Sequence, residues 1–285
     1  RKQMAITVLL LSVPAILAEL STTLMQYIDA SMVGSLGAHA TAAIGVVESS
    51  IWLLDGLAMS ATAGFTVQVA QLVGAGRNAD ARNVFRQAIV VLLAFACVLA
   101  GIGVLISHDL PTWLGGDPSL QEDATAYFFI CSISLVPITM ARLGTGMLQC
   151  SGDMRTPSML NVLACMLDVS FNAVLIHEGP LLQLGPAALP IPGMGLGIRG
   201  AALGTLLAQT VTASLLLAFA CTRSERLRFQ EHGSWLPTAS TLRPAWRVSW
   251  PMILERSLLS TAYIAVTAIV APLGIVAVAA NSLGI

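Results

Sequence analysis

Charge is what this sequence has least of. Asp, Glu, Lys and Arg make up 10% of its 285 residues and hydrophobic residues 56%, whereas a soluble domain carries about 25% charged residues. With a mean hydropathy of +0.80, the composition is that of an integral membrane protein. A net charge of −1 and no basic stripe leave nothing for nucleic acid to bind. Cys97, Cys131, Cys150, Cys165 and Cys221 show neither zinc-type nor redox-type spacing and read as small packing residues. No nucleophile–base pair stands out, and the GxGxxG inside GMGLGIRG follows no strand, so it is no phosphate cradle. His39, His108, His177 and His232 fall in loops or at span ends and read as solvated. The first apolar run is too long for a cleavable leader. The chain begins without Met and stops inside an apolar run, so a piece of a longer protein is expected.

What is present is a series of apolar runs of the length a membrane helix needs, about 20 residues. Spans are expected at 5–33, 42–73, 88–107, 124–150, 158–176, 198–221 and 248–271, with an eighth just begun. Basic residues precede the first span (Arg1, Lys2) and follow the second (Arg77, Arg82, Arg86), the fourth (Arg155) and the sixth (Arg223, Arg226, Arg228, Arg243, Arg247). The intervening loops carry only Arg199. This asymmetry places the N-terminus in the cytoplasm of a multi-pass protein of the cell inner (plasma) membrane.

The chain also repeats itself. SVPAIL at 12–17 resembles SWPMIL at 249–254, and LGAHATAA at 36–43 resembles LGIVAVAA at 273–280, both at an offset of 237 residues. Pro14 thereby pairs with Pro251 and Gly37 with Gly274. Six spans separate the copies, so both enter from one side, which is a parallel repeat of transporter type. The expected fold is an all-α polytopic bundle. A six-helix lobe occupies 1–240, and 241–285 holds the first helix and the beginning of the second helix of a pseudo-symmetric lobe, making twelve spans in the intact protein.

Acids inside spans carry the chemistry, because a carboxylate at mid-membrane costs roughly 2.5–3.5 kcal/mol on insertion scales. Asp29 lies in span one with Thr22, Met25 and Gln26 on its helical face, and these three are expected to line a substrate cavity. Span five supplies Asp168 and Asn172, one turn apart, with Asn161 two turns before Asp168 as a further cavity residue. Span six supplies Thr205. All four of Asp29, Asp168, Asn172 and Thr205 fall at a common depth in the outer half. Their oxygens suit a hard cation, and a carboxylate alone suits a proton; a cluster that merely ties spans together is the plainer alternative. Glu48, Asp55, Glu19 and Glu255 also lie in spans. Arg142 either pairs with one of these acids or snorkels to the headgroups. Pro14 is a candidate kink in span one.

IDASMVGSLGAHATAAIG, TAGFTVQVAQLVGAGRNADARNVFRQA, MLQCSGDMRTPSMLN and GIRGAALGT, taken in order, resemble the multidrug and toxic compound extrusion (MATE) transporters, especially their DinF-like bacterial branch. The resemblance implies a twelve-span antiporter exporting organic cationic or amphipathic compounds in exchange for Na+ or H+, without a cofactor. It places the family's first-span acid on Asp29, its bendable proline on Pro14, its paired span-five positions on Asp168 and Asn172, and its span-six threonine on Thr205. Asp29 and Asp168 would hold the metal ion if sodium is coupled. Here the acid comes first and the Asn second on span five, the reverse of the order common in the family. The expected partners are small organic substrates and the bilayer, with no nucleic acid and a monomeric protein. A lipid-linked oligosaccharide flippase of the same superfamily is the alternative, and an intramembrane enzyme or a scaffold is further off.

Overall fold

The structure, a computed structural model, describes the backbone of residues 2–176, 182–184, 187–189, 193–229 and 233–284, and side chains from Ile16 onward within most of these ranges. Its helices are α1 (Lys2–Gly34), α2 (Ala38–Gly74), α3 (Asn78–Ile106), the single turn α4 (Leu110–Trp113), α5 (Gln121–Cys150), α6 (Arg155–Ile176), α7 (Gly197–Thr222), α8 (Ala239–Val270) and α9 (Ile275–Gly284). Among the described residues six segments are long and apolar enough to cross a membrane: α2, α3, Pro118–Cys150, α6, α7 and Ala239–Leu273. In the Pro- and Gly-rich loop between α6 and α7, strands β1 (Leu182–Leu184) and β2 (Ala187–Leu189) form an antiparallel hairpin with Gln183 opposite Ala188.

The turns follow local chemistry. In SGDMRTP, Gly152 takes φ 93°, a conformation that costs glycine little. Asp153 Oδ1 then accepts the N–H groups of Arg155 (3.1 Å) and Thr156 (3.0 Å), occupying donors that the start of α6 leaves open. The repeated segments share one turn. Gly37 has φ 100° and ψ 175°, and Gly274 has φ 104° and ψ 169°. Gly37 N–H donates to Gly34 at 3.1 Å, and Gly274 N–H to Ala271 at 3.3 Å, the same bond 237 residues on.

Two apolar clusters stack along the bundle. One joins the first half of α2 to the first half of α5, with Val46, Val47, Phe128 and Leu135 at its centre. The other joins the second halves of α2 and α5 to α3 and α7 around Phe85, Leu92, Leu143 and Leu216. Within α2 and α5, Ser60, Thr62, Ser132 and Thr139 return their hydroxyl protons to the carbonyl four residues back at 2.6–2.8 Å, the usual way to carry a hydroxyl through a helix interior. α8 and α9 pack on α2, while α1 packs on α6.

The segment before α8 differs from the open linker its polarity suggests. α8 starts at Ala239, nine residues before the apolar run at 248. The preceding chain folds back onto α3: Leu227 is fully buried, and Phe229 packs between Phe85 (5.1 Å) and Trp235 (5.5 Å). The Arg86 guanidinium stands 4.8 Å over the Phe229 ring. Gln87, 3% exposed, accepts both the N–H and the hydroxyl of Thr238 at 3.2 Å. A few apolar side chains among many arginines are enough to anchor a strap that composition alone marks as polar. At the arginine-poor end, Arg199 pairs with Glu122 at 2.7 Å and His39 lies 3.8 Å from Asp123. His177 and His232 lie outside the described residues.

Candidate functional site

The site forms where α6 lies between α1 and α7. α7 comes close to α6 through Gly200 and Gly204. A Cβ built on Gly200 would stand 2.5 Å from the Leu175 carbonyl oxygen, and one on Gly204 would stand 2.0 Å from Asn172 Oδ1. Two glycines four residues apart give one smooth helical face, along which membrane helices approach most closely. The chain entering α7 is tied to the end of α6: Met194 N–H donates to Val174 and Leu196 N–H to Leu175, both at 2.9 Å. These bonds satisfy carbonyls that a helix end leaves open.

This packing brings together the four side chains nominated from the sequence as a coupling set. Asn172 Nδ2 donates to Asp29 Oδ1 at 2.9 Å across the α1–α6 contact, and to Asp168 Oδ2 at 3.0 Å one turn back on α6. A carboxylate only accepts, so the amide atom facing both acids is the nitrogen, and its two protons are both used. Asp168 and Asn172 are each 1% exposed, and Asp29 is half-buried. Asp168 Oδ1 and Asn172 Oδ1 are buried and have no hydrogen-bond partner among the described residues. The Thr205 hydroxyl donates to the Ala201 carbonyl at 3.3 Å and stands beside Asp168. Neither carboxylate pairs with a basic side chain among the described residues.

Magnitudes limit what this cluster can be. Two unit charges ~4 Å apart repel by about 4 kcal/mol at an effective dielectric constant of 20, and burying each adds several kcal/mol. One amide giving two charge-assisted hydrogen bonds returns roughly 1.5–3 kcal/mol apiece. The deficit calls for a proton on one carboxyl or a small cation among the oxygens. The set of two carboxylates, one amide oxygen and one hydroxyl oxygen is the donor type a hard cation prefers.

The remaining nominated residues stay apart from this cluster. Gln26, exposed, and Met25, half-buried, lie about one turn from Asp29, and half-buried Thr22 lies two turns away. Asn161, half-buried, is two turns from Asp168, and neither it nor Gln26 makes a side-chain hydrogen bond among the described residues. α1 is helical through position 14, but the Pro14 side chain lies outside the described residues. Arg142 takes the first of its two expected options. Its Nη1 and Nη2 meet Asp55 Oδ1 and Oδ2 at 2.7 and 2.8 Å, with the side chains 35% and 31% exposed. This ion pair ties the α2 part of one apolar cluster to the α5 part of the other. Sequence reasoning did not single out Gly204 or Gly200; their four-residue spacing in GIRGAALGT was the available signal.

Membrane-length helices, a repeated entry segment and acids buried where spans meet define a polytopic membrane transporter. The MatE family model matches residues 14–174, and the chain belongs to this family of MATE transporters. It is 23% identical over 276 residues to a probable multidrug resistance protein NorM of Thermotoga maritima, covering 96% of this chain and 56% of that protein. It is 25% identical over 244 residues to an FAD transporter of Shewanella oneidensis, covering 82% of this chain and 51% of that one. An outward-facing multidrug resistance MATE transporter of the MOP superfamily shares the fold with a TM-score of 0.77 at 22% identity, over 88% of this chain and 52% of that structure. The chain thus spans about half the length of the relatives it matches.

Proposed function

We propose that this chain is the first lobe, with the opening of the second, of a secondary antiporter that exports organic cationic or amphipathic compounds in exchange for Na+ or H+. The observation that carries this reading is the Asn172 amide bridging Asp29 and Asp168 beside two orphaned oxygens. Asp29 and Asp168 take the ion, and Asn172 and Thr205 are neutral oxygen partners. Thr22, Met25, Gln26 and Asn161 line the path of the substrate, and Pro14 lets α1 bend as the ion leaves. Within the family, the overall resemblance of its motifs is the ground for proposing the DinF-like branch. The arginine-rich end faces the cytoplasm, as the positive-inside rule favours.

The test is transport into vesicles under imposed gradients. Asp29→Asn and Asp168→Asn proteins, expressed and folded as the parent, are expected to lose gradient-driven export. A sodium site responds to a sodium gradient at fixed pH, and a proton site to a pH gradient in sodium-free buffer. Parental rates in both variants under both gradients would remove the coupling role from this lobe. The likeness to an FAD transporter supports a second reading, an anionic dinucleotide substrate. Uptake of FAD and of an organic cation in the same vesicles separates the two.

A further inference from the structure

A groove outside the coupling site opens between α3 and the first half of α8, with α2 as its floor. Its volume is about 510 Å3, within the range of ligand pockets. Phe65, Leu92, Phe95, Leu242, Trp246 and Ile253 make its walls. The floor is fixed by close packing of α2 on α8: a Cβ on Gly64 would stand 2.2 Å from Ser249 Oγ and 2.4 Å from the Ala245 carbonyl oxygen.

One end of the groove is charged. Arg243 lines it, and Arg247, outside the lining, follows one turn later on α8; both are exposed. Neither guanidinium makes an ion pair or a hydrogen bond among the described residues. Trp246 and Trp250 stack at 5.4 Å beside them, the residue type that settles at the membrane–water boundary. From Arg243 to Ile253 the helix rises about 15 Å at 1.5 Å per residue, half of the roughly 30 Å hydrocarbon thickness. A cationic amphiphile would meet the uncompensated Arg243 charge in the lining, with that of Arg247 one turn away, and a neutral one would leave both unmatched.

We propose that this groove is a binding site for a phospholipid with an anionic headgroup, whose acyl chain lies along Phe65, Phe95 and Ile253 and whose phosphate end is held by Arg243, with Arg247 one turn along α8 adding to the positive charge there. Lipid tails are as apolar as the groove, so the tail fixes the position and the headgroup charge supplies the preference. Bidentate guanidinium geometry suits a phosphate.

The test uses the protein in nanodiscs and the tryptophan fluorescence that a Trp246→Phe/Trp250→Phe variant lacks. Phosphatidylglycerol with brominated tails in unlabelled phosphatidylcholine is compared with the inverse labelling at equal mole fraction. Quenching of this component is expected to favour brominated phosphatidylglycerol by roughly five-fold or more in relative affinity, and the preference to vanish in Arg243→Gln/Arg247→Gln. Equal quenching by both lipids, or a preference surviving the double substitution, overturns the proposal. So does absence of quenching by either lipid, which would show the groove covered by protein.

Discussion

Gly204 of α7 stands against Asn172 of α6 so closely that a Cβ would lie 2.0 Å from the amide oxygen. The amide therefore owes its position to a missing side chain on a neighbouring helix. Gly204→Ala is expected to push Asn172 off the two acids, cost about 1–3 kcal/mol as overpacking does, and weaken gradient-driven transport as loss of the amide does. Gly101→Ala on α3, where an added Cβ meets nothing within 4 Å, should leave thermal stability and transport at parental levels.

Removing the bridge itself tests whether it is structural or functional. Asn172→Ala leaves Asp29 and Asp168 without their shared donor, and an unsatisfied buried group costs about 1–3 kcal/mol. Coupling is expected to weaken less than in Asp29→Asn, because both carboxylates remain. Melting curves with and without sodium, alongside vesicle transport, separate the two effects.

Arg142 and Asp55 form a two-pronged pair at partial exposure. Breaking a buried pair costs about 3–5 kcal/mol and a surface pair less than about 1 kcal/mol, so Asp55→Asn or Arg142→Gln should cost about 1–3 kcal/mol. Asp55→Arg combined with Arg142→Asp should recover part of that loss. A double-mutant cycle on thermal stability measures the coupling, and purely additive losses would deny it.

The strap before α8 holds its place through Phe229. Phe229→Ala removes the contacts to Phe85 and Trp235 and uncovers buried Arg86. For a half-buried ring the expected cost is about 2–3 kcal/mol, below the 3–5 kcal/mol of a fully buried one. Trypsin should then cut at Arg223, Arg226 or Arg228 markedly faster than in the parent.

Orientation has a direct measurement. Ser234→Cys and Gln183→Cys, each placed in a background lacking the five native cysteines, are expected to react with a membrane-impermeant thiol reagent from opposite sides. Reaction of both from one side would reverse the assignment drawn from the arginines.

The sequence by itself determined what depends on near neighbours. Hydropathy marked the helices, because burial in lipid is set by each run's own side chains. The matched glycines Gly37 and Gly274 were legible because a positive φ restricts residue type locally. Depth along each helix also follows from counting residues, so Asp29, Asp168, Asn172 and Thr205 could be assigned to one level. Tertiary structure alone decided the partners. Asn172 meets Asp29 across 143 residues, and Arg142 meets Asp55 across 87. An ionisable group in a span must find a partner, but its identity does not say which one. That choice rests on how closely helices approach and at what rotation, set here by bare glycines such as Gly200 and Gly204. The strap escaped composition for the same reason: Leu227 and Phe229 are ordinary apolar residues among arginines until α3 supplies the surface that buries them.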